Sequence, residues 1–138
     1  MNKFNNFLNN SNAEEALKDV IKSGLEPDIL NLANVKVFNG SKEELETKLG
    51  FSININDRNF IEFPYFSENG SIIFYRYKIL PPINKDGNEI KYLQPKNTPA
   101  IPYIPPMVWK VKDKANKPIW ITEGEKKALK LIQHNRYT

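Results

Sequence analysis

The chain has 138 residues, enough for one domain with a small core, and its 40% hydrophobic and 26% charged residues are an ordinary globular balance. It has no cysteine and one histidine, which excludes disulfides and thiolate metal sites and leaves a histidine-based zinc site without ligands. Net charge is +4 but lopsided: residues 1–70 carry 7 Lys or Arg against 11 Asp or Glu, and residues 71–138 carry 13 against 5, so the second half is the one suited to a polyanion.

Residues 1–12 are polar and rich in asparagine, without the apolar core of a secretory signal, and read as a flexible tail. No run approaches the roughly 18 apolar residues that span a bilayer, so the expectation is no membrane and a cytoplasmic location. Asn12 and Glu15 have capping-box spacing, and Ala16, Leu17, Val20 and Ile21 recur at helical intervals. Gly24 supplies a left-handed stop with Leu25 closing behind it. Pro27 opens a second short helix carrying Ile29, Leu30 and, at its end, Ala33. Val35 to Phe38 reads as a short strand with an Asn39-Gly40 turn after it. Ser41 and Glu44 then start a brief helix with Leu45 and Leu49 inward and Gly50 as terminator.

From Phe51 the period becomes two. Phe51, Ile53 and Ile55 alternate with polar residues, and Phe60 to Phe66 is a strong apolar strand whose Pro64 favours an edge or a strand end. Glu68-Asn69-Gly70 signals a hairpin, Ser71 to Leu80 is the longest strand, and Pro81-Pro82 is expected to end it. Lys85-Asp86-Gly87-Asn88 is a second turn and Glu89 to Leu93 returns, giving an antiparallel meander across 51–94. Residues 95–106 hold five of the ten prolines and read as a stiff connection packed through Ile101, Tyr103 and Ile104. A charged loop, Lys110 to Lys117, leads to a short buried strand, Ile119 to Thr122, and then a helix from Glu125 to about His134 with Ala128, Leu129 and Ile132 on one face. Trp109 and Trp120 are expected to fill core space, and His134 to favour the helix C-terminus. The fold class is therefore α+β: short N-terminal helices, an antiparallel β-meander, then the first strand-helix unit of an α/β domain.

Two constellations carry chemistry. In Ile119-Trp120-Ile121-Thr122-Glu123-Gly124-Glu125, an apolar strand delivers the Glu123 carboxylate at its end, and a glycine allows a tight turn into a helix. Ligands of α/β folds collect beyond such strand ends, where a carboxylate can bind a divalent metal or move a proton. The plainer reading is that Glu123 and Glu125 stabilise a helix N-terminus. On the strand 71–80, Arg76 and Lys78 share one face and Tyr75 and Tyr77 the other, with Lys91, Tyr92 and Lys96 on or after the neighbouring strand. Cations that hold phosphates beside tyrosines that stack bases are the chemistry of single-stranded nucleic-acid binding. The plainer reading is an amphipathic sheet with tyrosines in the core and charges in water. No P-loop is present.

Ile121-Thr122-Glu123-Gly124-Glu125-Lys126-Lys127-Ala128 resembles the opening motif of Toprim-like domains in phage and plasmid primase–helicases. Ser23-Gly24-Leu25, Phe63-Pro64-Tyr65, Tyr75-Arg76-Tyr77-Lys78, Lys91-Tyr92-Leu93-Gln94-Pro95 and Tyr103-Ile104-Pro105-Pro106 follow the order of a domain of unknown function at the front of such DNA replication proteins. The resemblance covers roughly residues 20–138. After the tail at 1–12, it implies a primase-like N-terminal region at 13–106 and the start of a Toprim-like domain at 107–138. It also implies that Glu123 matches the Toprim glutamate, which works with a later Asp-x-Asp to hold Mg²⁺. This chain contains no Asp-x-Asp, so it is expected to be catalytically incomplete by itself, with Mg²⁺ belonging to the complete protein. The implied function is handling of single-stranded DNA template, with Arg76, Lys78, Lys91 and Lys96 on phosphates and a helicase or another replication protein as partner. The alternative is a protein-interaction module that docks a replication partner through its proline-rich and aromatic surface.

Overall fold

The computed structural model describes residues 13–53, 55–111 and 120–135. Three helices form before residue 50: α1 (Glu14–Lys22), α2 (Pro27–Leu32) and, after the strand β1 (Lys36–Gly40), α3 (Lys42–Leu49). Ala13, not Asn12, stands at the N-cap position of α1 and no side chain caps it there; Asn12 itself lies outside the described residues. Ala16, Leu17 and Val20 are buried as their spacing predicts, whereas Ile21 is exposed, one step round the helix from the core stripe. Gly24 takes φ 72°, and its neighbours close the helix end through Leu25 N–H to Val20 O at 3.2 Å and Gly24 N–H to Ile21 O at 2.9 Å. Ser41 caps α3 by accepting from the Glu44 N–H at 3.2 Å.

The sheet is four-stranded and antiparallel in the order β1-β2-β3-β4, with β2 (Arg58–Phe66), β3 (Ile72–Lys85) and β4 (Asn88–Leu93) forming the expected meander. Three details differ from the sequence reading. Asn39-Gly40 belongs to β1 rather than to a turn, because both residues find partners in β2. Phe51, Ile53 and Ile55 form no strand, yet Ile55 is buried and the other two pack on the same cluster, so their alternation marks burial without pairing. Pro81-Pro82 does not end β3; pairing with β2 reaches Leu80, pairing with β4 resumes at Ile83, and the prolines occupy the register irregularity between. Pro64 lies in β2 beyond Glu62, the last residue paired with β1, where β2 is in effect an edge. The turn from β3 to β4 has positive φ at both Asp86 (52°) and Gly87 (80°), the two-residue loop that matches strand twist.

Alternation along the strands sends two sets of side chains to opposite faces. One face puts Val37, Ile61 and Phe63 under α1 and α2, and the last helix, α5 (Glu125–Asn135), closes the same core with Leu129. The short α4 (Pro106–Val111) and Tyr103 pack at its margin, with the Trp109 indole N–H donating to Phe66 O at 3.0 Å. The other face packs Phe60, Tyr77 and Ile79 on Leu45 and Leu49 of α3. Helices therefore cover both sides of the sheet, and α5 shares its core with residues 13–63. No described helix is long and apolar enough to cross a membrane.

Candidate functional site

β3 carries Phe74, Arg76, Lys78 and Leu80 on the face that α1 and α5 cover. Both cations are therefore roofed by helices instead of facing open water, and each has a carboxylate waiting above it. Arg76 Nη1 donates to Glu125 Oε1 at 2.9 Å, and the Tyr65 hydroxyl donates to the same oxygen at 2.7 Å. Glu125 is almost completely buried, and its Oε2 accepts no hydrogen bond from the described residues. The guanidinium thus meets the Glu125 carboxylate through one oxygen rather than as a fork, and it lies over the Tyr92 ring, 4.6 Å from the centroid. Burial, reinforced by the Glu125 charge, pushes the Tyr65 hydroxyl well above its ordinary range.

Next to this pair, Lys78 Nζ donates to both oxygens of Asp19 at 2.8 and 2.9 Å, and Lys126 Nζ donates to Asp19 Oδ2 at 2.8 Å. Burial by itself would raise the Asp19 carboxyl, but hydrogen bonds from Lys126 and Lys78 outweigh it and hold the group below its ordinary 3.8. Burial, with the neighbouring Lys126 charge, lowers Lys78. The N-terminus of α5 is thereby pinned to β3 by Glu125 and to α1 by Lys126. Farther along, the Gln133 amide reads the α1–α2 turn in both directions: it donates to Gly24 O at 2.8 Å and accepts from Glu26 N–H at 2.7 Å. Lys130 Nζ donates to the same Gly24 carbonyl at 2.8 Å.

Glu123 is placed apart from these charges. Its side chain is 92% exposed and pairs with Lys127 Nζ at 3.3 Å, one turn along α5. Gly124 takes φ 87° and the helix starts at Glu125, so the tight turn is as expected. The strand before it is a correction: residues 120–122 form no strand, Trp120 and Ile121 are 69% and 93% exposed, and Ile119 lies outside the described residues. Among the described residues the sheet consists of β1 to β4, and residues 120–122 do not join it. Trp120 accordingly fills no core.

The four cations expected on phosphates do not form one patch. Arg76 and Lys78 lie under α1 and α5. Lys91 alternates to the other face from Tyr92 and sits beside Glu89 at 3.6 Å, while the Lys96 backbone is tied to Leu49 O at the end of α3. Among the described residues no three His, Cys, Asp or Glu side chains are grouped to hold a metal. Glu123 has the Lys127 ammonium as its neighbour.

The sequence reading gave Asp19 no role, Glu125 only that of stabilising a helix N-terminus, and Lys126 only a place in the motif. A signal for Glu125 was present, since Glu125, Leu129 and Gln133 recur every fourth residue and so share the inward face of α5. Asp19 gave less warning, lying between the buried Ala16 and Val20. No family model matches the chain, and neither a curated protein nor a solved structure matches it.

Proposed function

We propose that this chain is the template-handling, single-stranded-DNA-binding part of a primase-like DNA replication protein of the phage or plasmid kind, incomplete for catalysis by itself. The observation that carries the reading is the convergence of Arg76 and Lys78 of β3 with Lys126 of α5, the helix that begins with the Toprim-like motif. The ordered resemblance across residues 20–138 and the basic second half support it. Glu123, exposed at the start of that helix, is the carboxylate a nucleotidyl-transfer site would use, with Mg²⁺ held jointly by carboxylates from outside this chain. A helicase or another replication protein is the expected partner.

The test is a fluorescence-anisotropy titration of a labelled single-stranded oligonucleotide at 50 and 200 mM salt. With about four phosphates neutralised, affinity falls about 50-fold between the two, from a slope of about −0.7 per contact. Reversing Arg76 and Lys78 to Glu weakens binding further but also strips Glu125 and Asp19 of their partners. Lys127→Glu compared with the Lys91→Glu, Lys96→Glu double variant reports which face the strand follows, because these side chains are more exposed. Absence of binding at 50 mM salt sinks the template reading.

That outcome passes the case to a protein-interaction module, which one observation favours. Trp120 and Ile121 are exposed in succession, and Val108 and Val111 of α4 are exposed as well, so apolar surface is available to a replication partner. In the proline-rich segment Tyr103 packs on Phe63 and Tyr65 and Pro105 is buried, while Pro99 and Pro102 are exposed.

A further inference from the structure

We propose that the notch between α1, β3 and α5 is a phosphate-group site, and that the Asp19 carboxylate fills it as an internal competitor that a backbone phosphate displaces. This deepens the single-stranded-DNA reading and rests on it for the identity of the phosphate donor. Three cations, Arg76, Lys78 and Lys126, meet two carboxylates, Asp19 and Glu125, so the cluster carries one surplus positive charge. Arg76 and Lys78 are two residues apart on one side of a strand, about 7 Å, and Lys126 closes the third side from α5.

The donors are far from saturated. An ammonium has three N–H groups and a guanidinium five. Among the described residues, Lys78 uses two on Asp19, Lys126 uses one, and Arg76 uses one on Glu125. Asp19 with its two oxygens shared between Lys78 and Lys126 therefore occupies two corners of a three-cornered site. A phosphate monoester presents three terminal oxygens and a diester two terminal and two weaker ester oxygens, arranged tetrahedrally and not in one plane as in a carboxylate, so the group can take over both lysines and also turn an oxygen to the unused edge of Arg76. The side chains of Arg76, Lys78, Lys126 and Asp19 are 33%, 13%, 20% and 18% exposed, open enough for an anion to reach and shielded enough to strengthen its attraction.

Isothermal titration with inorganic phosphate, at ionic strength matched with sodium chloride, tests the notch. Asp19→Asn is expected to bind phosphate roughly fivefold more tightly, the order expected for removing one negative charge a few ångströms from the ligand. Lys126→Gln is expected to bind it roughly fivefold more weakly. A purely structural ion network predicts loss of stability in both variants and no gain of affinity in either. Asp19→Asn binding phosphate no more tightly than the parent chain overturns the proposal. Should either variant fold poorly, lysine-side-chain NMR of the parent chain decides: phosphate must shift the Lys78 and Lys126 ammonium signals before that of the exposed Lys127, and equal shifts at all three overturn the site. Oligonucleotide binding that Asp19→Asn and Lys126→Gln leave unchanged removes the notch and keeps the template reading. Phosphate binding at the notch without any oligonucleotide binding does the reverse.

Discussion

The same strand, β3, builds both faces of the sheet, and the two faces are held by different physics. Toward α3 it sends Tyr75, Tyr77 and Ile79, which pack with Phe60, Leu45 and Leu49. Toward α1 and α5 it sends Arg76 and Lys78, which sit among Ile61, Phe63 and Leu129 and are neutralised by side chains from two helices. The α3 face has its own buried acid, Glu62, 3.6 Å from Lys48, but its bulk is aromatic and aliphatic. The difference teaches that a period of two assigns side chains to faces, while the covering element decides whether a charge on that face meets water or a counter-charge. It follows that α3 is held by apolar burial, which salt hardly touches, whereas α5 is held in large part by ion pairs and hydrogen bonds to α1, β3 and the α1–α2 turn.

The largest expected effect lies on the apolar face. Phe60→Ala removes a fully buried ring and is expected to cost about 4 kcal/mol, equal at 0.1 and 1 M sodium chloride, as measured by urea unfolding. A strong salt dependence of that loss breaks the contrast between the faces. Next, Glu125→Ala leaves Arg76 and the Tyr65 hydroxyl without their shared acceptor and is expected to cost about 3 kcal/mol. Pairing Glu125→Leu with Arg76→Met should recover most of that loss, because apolar groups of similar volume replace the buried pair. If the double variant is no better than Glu125→Ala, the pair is not what holds α5.

The smallest effect is the most specific. Asp19→Asn is expected to cost about 2 kcal/mol at pH 7, from three charge-assisted hydrogen bonds weakened or lost. The sign of its pH dependence follows from the depressed carboxyl. The folded state binds the Asp19 proton less tightly than the unfolded state does, so the stabilisation is complete above the ordinary 3.8 and is lost as pH falls through the lower folded value. Unfolding curves of the parent chain and Asp19→Asn should therefore converge below about pH 4. A gap that stays constant to pH 2.5 means that Asp19 is held by packing instead of charge.

Much of the architecture was legible. Ser41 with Glu44, Gly24 with Leu25, and Asp86-Gly87 each ended or began an element where local chemistry demanded it, and the meander followed from alternation between turn signals. The misreadings share a cause. Among the described residues, the alternating Phe51, Ile53 and Ile55 join no strand, β3 runs through Pro81-Pro82 because it pairs with β2 before them and with β4 after them, and Trp120 and Ile121 are exposed. Pairing and cover come from residues distant along the chain, and a local window does not contain them.

The candidate site divides along the same line. Sequence alone determined which residues are cations, that Arg76 and Lys78 point the same way, and that Gly124 turns the chain into a helix at Glu125. Only the tertiary structure brought Asp19 of α1 and Glu125 and Lys126 of α5 onto Arg76 and Lys78, and set Glu123 outside in solvent. Spacing along one element is fixed by covalent geometry, but a charge acquires its partner, and with it its energy, only when separate elements pack.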